Sequence, residues 1–283
     1  MPDLQQILKE TKEISPAPQI LPKLHKLLDD PNSELDDAVN LIKMDVGLSG
    51  SVLKYANSSL FGAGLKVETL DMAVQRFGFR QVQKLVMVAT GKSALNVDLK
   101  HYNHSDYSLF EVSLACAELM SEMAKTDRLM DPDLAFTIGL FHGVGKLVIE
   151  GYFSRHEIVF FEGSNNLITL QQERKLLGFD HAQAGAALLK NWKFADSIVG
   201  PVRHQFSILP ESDSQRGVVL SLTLAAVLAK RLPEDPFEPG ELVASFAESF
   251  PELWAAMDVA EEKIEGILGR ARASYETSMD SIR

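Results

Sequence analysis

The sequence contains a single cysteine, Cys116, among its 283 residues. One thiol cannot form an internal disulfide framework, and it cannot supply the thiolates of a cysteine-rich zinc site. A lone cysteine also suits a reducing compartment. The fold must therefore be stabilised mainly by its apolar core, and a hydrophobic content of 46% is ample for one.

Basic residues are in the minority. The chain has 28 lysines and arginines against 39 acidic residues, which gives a net charge of −11. A surface of this charge repels the phosphate backbones of nucleic acids. We therefore expect no nucleic-acid partner that binds through a general basic surface.

Long hydrophobic runs are missing as well. No stretch approaches the roughly 18 consecutive apolar residues of a membrane span. The first residues, Met1–Gln6, have no basic region followed by an apolar run, so they do not form a secretory signal. We expect a soluble cytoplasmic protein with no membrane association.

Alternation of polar and apolar residues, which is typical of strands, is also absent, whereas apolar residues recur at helical spacing. The sequence predicts an all-α protein. It divides into an N-terminal helix within 1–15, a helical bundle over 16–104, a second helical unit over 105–216, and C-terminal helices over 217–283 that pack on the core. The polar stretch 100–106 is the predicted seam between the bundle and the second unit.

Local signals place some helix ends. Thr69 is a suitable N-cap for a helix that Gly78 stops, and residues 79–95 form a longer helix. Residues 45–47 read as a break between two helices. Ser33 is a further predicted N-cap, residues 61–64 form a loop, and another helix is predicted near Glu157.

The segment from Phe136 to Ile149 reads as one buried helix with His142 in its middle. Gly139, Gly143 and Gly145 would allow a neighbouring helix to approach its backbone closely. Each glycine costs the helix roughly 1 kcal/mol relative to alanine, so three of them indicate tight packing or a site.

Two other kinds of chemistry are poorly supported. Gly145-Lys146 resembles the end of a phosphate-binding loop, but Leu147 occupies the position where that motif requires Ser or Thr, and the segment follows no strand. Cys116 lies on the apolar face of a predicted helix, where a thiol is inert.

Three histidines of the second unit, His142, His181 and His204, fall at or within predicted helices. Brought together, three imidazoles could bind a divalent transition metal. The alternative is that each is a core or capping histidine satisfied by one hydrogen bond. The other histidines have polar or amphipathic surroundings and are predicted at the surface: His25, His101, His104 and His156.

Several motifs in order resemble the HDOD family, the HD-related output domains of bacterial signalling. Together they extend over roughly residues 16–210. They are Asp45–Gly62, Val67–Val82, Phe136–Leu147, Glu173–His181, Gly185–Trp192 and Val202–His204.

This resemblance implies an N-terminal helical bundle joined to a degenerate version of the metal-dependent HD phosphohydrolase core. Only His142, His181 and His204 match histidine positions of the catalytic family. The first histidine of that set corresponds to Val112, the aspartate after His142 corresponds to Gly143, and the late aspartate corresponds to Ala226. The resemblance therefore implies a vestigial metal site with no cofactor.

Two function classes remain open. The first is a non-catalytic signalling module that binds proteins or a small ligand such as a nucleotide. Asn57 and Ser58 could line a groove between the helical units for this purpose, although they could equally just cap the fourth helix. The second class is a metal-dependent phosphohydrolase in which the three histidines and an acid, Glu173 or Asp180, hold a weakly bound divalent ion.

Overall fold

The computed structural model describes residues 2–10, 20–29, 35–58, 66–97, 99–102, 107–160 and 166–282. All regular secondary structure in these ranges is helical, which confirms the predicted all-α class. Several local predictions lie outside the described residues, namely the Ser33 cap, the 61–64 loop, His104 and the side chain of His25.

The first six helices form the N-terminal part of the chain. Thr69 accepts a hydrogen bond from the backbone N–H of Met72, and Gly78 ends the same helix with a φ of 79°, so both predicted boundaries are confirmed. The helices are α1 (Leu4–Glu10), α2 (Ile20–Asp29), α3 (Leu35–Lys43), α4 (Val46–Ala56), α5 (Leu70–Phe77) and α6 (Phe79–Leu95).

The predicted break at residues 45–47 is wrong in detail. Asp45 is the N-cap of α4, because its carboxylate accepts the backbone N–H of Leu48 at 2.9 Å. Gly47 already lies inside the helix. Because the capping carboxylate lets α4 start at the next residue, the gap between α3 and α4 is shorter than the sequence suggested.

Within the described residues, six further helices build the second unit around α7, which extends over Leu109–Asp127. This helix begins with a capping box between Ser108 and Glu111, and nearly every residue from Phe110 to Ala124 is buried. The helices are α7 (Leu109–Asp127), α8 (Pro132–Phe141), α9 (Gly145–Arg155), α10 (Asn166–Leu177), α11 (His181–Asn191) and α12 (Asp196–His204).

Helices α8 and α9 together form an apolar stretch, Pro132–Arg155, that is long enough to cross a membrane by length and composition. In the structure 83% of its most apolar window is buried inside the protein. The helix predicted near Glu157 is wrong, because α9 ends at Arg155 and Glu157 adopts a positive φ of 52° beyond it.

Four helices follow at the C-terminus: α13 (Arg216–Leu228), α14 (Pro239–Ser249), α15 (Pro251–Met257) and α16 (Glu261–Ile282). Helix α16 lies along α7 and buries residues such as Ile264, Leu268 and Tyr275. Buried residues from all three parts of the chain belong to one hydrophobic core.

A buried carboxylate joins these three parts. Glu118 of α7 is 1% exposed, and its oxygens lie 2.8 Å from Lys84 Nζ of α6 and 2.6 Å from the Ser278 hydroxyl of α16. Lys92 of α6 also donates to the backbone carbonyl of Ile282. The polar contacts therefore fix α7 between the N-terminal bundle and the C-terminal helix.

Candidate functional site

His142 lies in a turn rather than within a continuous helix. Helix α8 ends at Phe141 and α9 begins at Gly145, so the single helix predicted through this segment is wrong. The amide of Gln205 donates to the His142 carbonyl at 3.0 Å, which gives that carbonyl a partner from outside the helix. Residues 141–147 use tighter i to i+3 backbone bonds, as Val144 and Lys146 illustrate.

The His142 ring is buried and has a defined tautomer. Its Nδ1 lies 2.7 Å from the carbonyl oxygen of Gly139. Because a carbonyl only accepts, Nδ1 carries the proton and a lone pair remains on Nε2. Burial lowers the pKa of His142 to about 4, with further lowering by the positive charge of Lys146. The imidazole is therefore neutral at pH 7.

Close backbone contacts bring His181 to the His142 turn. A Cβ atom on Gly145 would lie 1.8 Å from the His181 carbonyl oxygen and 2.4 Å from the Gly185 nitrogen. A Cβ on Gly139 would lie 2.7 Å from the Ala117 backbone of α7. Only glycine fits either place, as the sequence predicted for this segment.

His181 is the first residue of α11 and is held by Glu173 of α10. The Glu173 carboxylate accepts the His181 backbone N–H at 2.7 Å and lies 2.9 Å from its Nδ1. The Tyr102 hydroxyl donates to the same carboxylate at 2.7 Å. Burial alone would raise the pKa of Glu173, but the nearby imidazole and these hydrogen bonds outweigh burial and lower it.

Asp180 also has a structural task. Its Oδ1 accepts the Gln183 backbone N–H at 2.8 Å as the N-cap of α11, and its Oδ2 forms an ion pair with Arg174 at 2.5 Å. Glu173 and Asp180, the acids that sequence reasoning offered as metal ligands, thus already hold other groups of the protein.

His204 does not join the other two histidines in a metal-binding group. It is half-buried at the end of α12, and the next residue, Gln205, is the one that contacts the His142 turn. Within the described ranges, no three His, Cys, Asp or Glu side chains could together hold a metal ion. No local pattern in the sequence pointed to Gln205, because its partner, the His142 carbonyl, lies 63 residues earlier in the chain.

The three positions at which catalytic relatives are expected to have ligands are apolar here. Val112 of α7 and Ala226 of α13 are 8% and 1% exposed, and both belong to the core. A Cβ on Gly143 would point toward Leu109, whose Cδ1 lies 3.0 Å away. The side chains at these three positions therefore supply no carboxylate to a metal ion or to its bound water.

Within the described part of the predicted seam, His101 is partly buried and Tyr102 is buried. His101, expected at the surface, donates its backbone N–H to Glu150 at 3.0 Å, and its Nδ1 lies 2.8 Å from the same carboxylate. Tyr102 is 6% exposed. His156, by contrast, is exposed as predicted. The buried Cys116 thiol has a raised pKa because of burial, which agrees with an inert thiol.

Asn57 ends α4 and fastens the chain ten residues further on. Its amide donates to the carbonyls of Leu53 and Val67 at 2.8 and 2.7 Å, and its Oδ1 accepts the Val67 N–H at 2.8 Å. The buried Ser58 hydroxyl has no hydrogen-bond partner among the described residues. An open cavity of about 370 Å³ lies beside Val67, Met72 and Arg76.

A family model for the HDOD domain matches residues 14–208. Among proteins, an uncharacterised protein of Treponema pallidum (strain Nichols) is 24% identical over 242 residues, which cover 83% of this chain and 46% of that protein. The uncharacterised protein YuxH of Bacillus subtilis (strain 168) is 27% identical over 108 residues, 38% of this chain and 25% of that protein. The chain thus spans half or less of the length of these relatives.

Solved structures share the whole fold. A protein of Shewanella amazonensis SB2B, provisionally classed as a phosphohydrolase, has a TM-score of 0.69 and 22% identity over 99% of this chain and 98% of that chain. An HDOD protein of unknown function from Geobacter sulfurreducens has a TM-score of 0.64 and 19% identity over 96% of both chains. A protein of Marinobacter aquaeolei VT8, provisionally classed in signal transduction, reaches 0.66 and 21% over 96% of this chain and 60% of that one. At these identities the likeness establishes the fold.

Proposed function

Because the chain belongs to the HDOD domain family, we propose that it is a non-catalytic signal-transduction module that acts by binding a partner protein or a small ligand. On this proposal its HD-type site is a structural remnant with no cofactor. We place the protein in the cytoplasm and expect neither nucleic acid nor membrane as a partner, in keeping with a net charge of −11.

The observation that carries the proposal is that the two acids next to His181 already form hydrogen bonds and an ion pair with other groups of the protein. Hydrolysis on a metal needs carboxylates that hold the ion and its water. Here Glu173 accepts hydrogen bonds from His181 and Tyr102, and Asp180 caps α11 and pairs with Arg174. The positions of the missing ligands, Gly143 among them, carry no oxygen donor in their side chains.

Elemental analysis of the purified protein tests the proposal, with the wild type, His142→Ala and the exposed-site control His156→Ala compared after equal exposure to Mn²⁺, Fe²⁺ and Zn²⁺. We expect the same substoichiometric metal in all three proteins. One metal ion per chain in the wild type and in His156→Ala, lost in His142→Ala, would overturn the proposal. Circular dichroism establishes that each variant is folded.

One observation favours the second class, a metal-dependent phosphohydrolase. Both His142 and His181 use Nδ1 for an internal hydrogen bond, to Gly139 and Glu173, which leaves each Nε2 available. Metal-ligating histidines are commonly oriented in this way. Phosphodiesterase or phosphatase activity that depends on added metal and disappears in His142→Ala would establish this class instead.

The binding function itself requires a ligand, and the surface near Asn57 and Ser58 is the part we propose for it. The cavity beside Val67 has the size of a small-molecule site. A nucleotide or cyclic dinucleotide that binds the folded chain raises its melting temperature in a saturable way. A screen of such compounds with the wild type and with Asn57→Ala tests this assignment, which fails if a hit affects both proteins equally. If no compound binds, the small-ligand part of the proposal fails and only binding of a partner protein remains to be tested.

A further inference from the structure

Residues 99–102, which we call the coupling segment, lie between the last helix of the N-terminal bundle and α7. Two adjacent side chains of this segment reach two different buried glutamates of the second unit. His101 binds Glu150 of α9, and Tyr102 binds Glu173 of α10. The segment is closed by a turn in which the Tyr102 N–H donates to the Leu99 carbonyl.

The two glutamates hold histidines in the same manner. Glu150 accepts the backbone N–H of His101 at 3.0 Å and lies 2.8 Å from its Nδ1. Glu173 accepts the backbone N–H of His181 at 2.7 Å and lies 2.9 Å from its Nδ1. Each carboxylate therefore fixes both the backbone and the ring of one histidine. Each carboxylate also accepts a hydroxyl, which comes from Ser154 of the same helix for Glu150 and from Tyr102 of the coupling segment for Glu173.

The Tyr102 ring has two further contacts in the second unit. Lys146 Nζ lies 4.8 Å from its centroid, and the Phe160 ring lies 5.4 Å away. Lys146 belongs to the first turn of α9, directly after the His142 turn. The hydroxyl therefore cannot move from Glu173 without displacing contacts of the helix that follows His142.

We propose that Tyr102 is a positioning residue, which acts through Glu173 to set the orientation of the His181 ring and so couples the segment between the two helical units to the candidate site. The Glu173 carboxylate is completely buried, so water does not replace a lost donor. When the coupling segment shifts, Glu173 loses one of its donors, and the imidazole it holds becomes less constrained. The reverse coupling follows, because linkage between two sites is reciprocal.

NMR of the histidine side chains in the full chain tests this inference. The variant Tyr102→Phe removes the hydroxyl but keeps the ring between Lys146 and Phe160. We expect a shifted His181 Nδ1–H resonance and about 10-fold faster exchange of that proton with solvent, the size of a typical coupling between sites. The His101 ring, held by Glu150, should be unaffected. Tyr107→Phe is the matched control, since its hydroxyl donates instead to the Pro233 carbonyl.

The reciprocal measurement uses a variant at the other end. Glu173→Gln should accelerate backbone hydrogen exchange at residues 101 and 102 more than at the first turn of α10, which begins at Asn166. The inference is overturned if Tyr102→Phe leaves the His181 proton as it is in Tyr107→Phe, or if Glu173→Gln leaves the coupling segment as protected as in the wild type. Neither the NMR measurement nor the hydrogen-exchange measurement depends on metal content. This inference can therefore fail while the proposed function holds, and the reverse is also true.

Discussion

The imidazole of His142 donates its Nδ1 proton to the carbonyl of Gly139, one turn earlier in α8, over 2.7 Å. This bond fixes the tautomer, and burial keeps the ring neutral. One of the two ring nitrogens of His142, a residue expected to bind metal in catalytic relatives, is therefore already hydrogen-bonded within the protein. Its remaining chemistry is a single lone pair on Nε2.

The titration of His142 follows from this environment. We expect its ring resonances in an NMR titration to show a pKa of about 4, well below the ordinary histidine value of about 6.5. In the unfolded chain His142 takes up its proton near pH 6.5. Between these two values the unfolded state binds more protons than the folded state, so stability falls as the pH decreases from about 6.5 to about 4.

The size of this pH effect can be measured by urea unfolding at pH 7 and pH 4.5. The pKa difference corresponds to a contribution of up to about 3 kcal/mol. Comparison of wild type with His142→Asn isolates it from the titration of carboxylates, and His156→Asn is the control. Equal pH dependence in the wild type and in His142→Asn would contradict a buried neutral ring.

The contact between Gly145 and α11 predicts a severe packing defect. In Gly145→Ala the new methyl group would meet the His181 carbonyl and the Gly185 nitrogen, which are backbone atoms and cannot rotate away. We expect a loss of at least about 3 kcal/mol in the free energy of unfolding, since α9 and α11 must separate. Urea unfolding measures this loss.

A control glycine is available in α16. A Cβ on Gly269 would meet no atom within 4 Å, and the residue is exposed on the helix surface. Gly269→Ala should therefore stabilise the protein by about 0.5–1 kcal/mol through helix propensity. Similar effects of Gly145→Ala and Gly269→Ala on stability would show that the close approach of α11 does not require a glycine at position 145.

Features that depend on neighbouring residues were predictable from the sequence. The cap by Thr69, the stop at Gly78 and the helix between Phe79 and Leu95 all rest on local chemistry, and the structure has each of them. The helical periodicity likewise sufficed for the fold class. The dense glycines correctly indicated tight helix contacts, because nothing but close packing compensates for their cost in a helix.

Features that depend on distant residues were not predictable. The turn at His142 uses Gln205, which lies 63 residues further along the chain. Tyr102 lies in a polar stretch and is buried because Glu173, 71 residues away, accepts its hydroxyl proton. Neither burial nor pairing of this kind leaves a periodic signal in the sequence, so the polar stretch 100–106 was predicted only as a seam between the two helical units.

The ion pair between Lys84 and Glu118 should be important because the acid is almost fully buried. In Lys84→Met the Ser278 hydroxyl is the one partner that the Glu118 carboxylate keeps among the described residues. Leaving such a charge unpaired costs about 3–5 kcal/mol, and we expect a loss of that order in urea unfolding. Combining Lys84→Met with Glu118→Gln removes the charge and should recover a large part of the loss.

The control for this ion pair lies on the surface. Lys43 and Asp71 form a pair at 2.9 Å, but their side chains are 44% and 53% exposed. Water and salt screen such a pair, so Lys43→Met should change stability much less than Lys84→Met does. Equal losses in the free energy of unfolding in Lys84→Met and Lys43→Met would mean that the burial of Glu118 does not determine how much its ion pair contributes to stability.

Asn57 is expected to shape the surface that we propose for ligand binding. Its side chain makes three hydrogen bonds to backbone groups, two of them to Val67 at the edge of the cavity. Asn57→Ala leaves these groups without that partner, and Val67 is only 2% exposed. We expect a loss of about 1–3 kcal/mol and faster backbone hydrogen exchange at residues 66–69, detected by mass spectrometry.

The matched control is Asn96, which likewise ends a helix, α6, but is exposed and makes no side-chain hydrogen bond among the described residues. Asn96→Ala should change stability by less than about 0.5 kcal/mol. If both variants change stability and hydrogen exchange to the same extent, Asn57 is only a helix cap and does not hold the edge of the cavity beside Val67 in place. If only Asn57→Ala loosens residues 66–69, the same variant distinguishes a ligand that uses this surface from one that binds near His142.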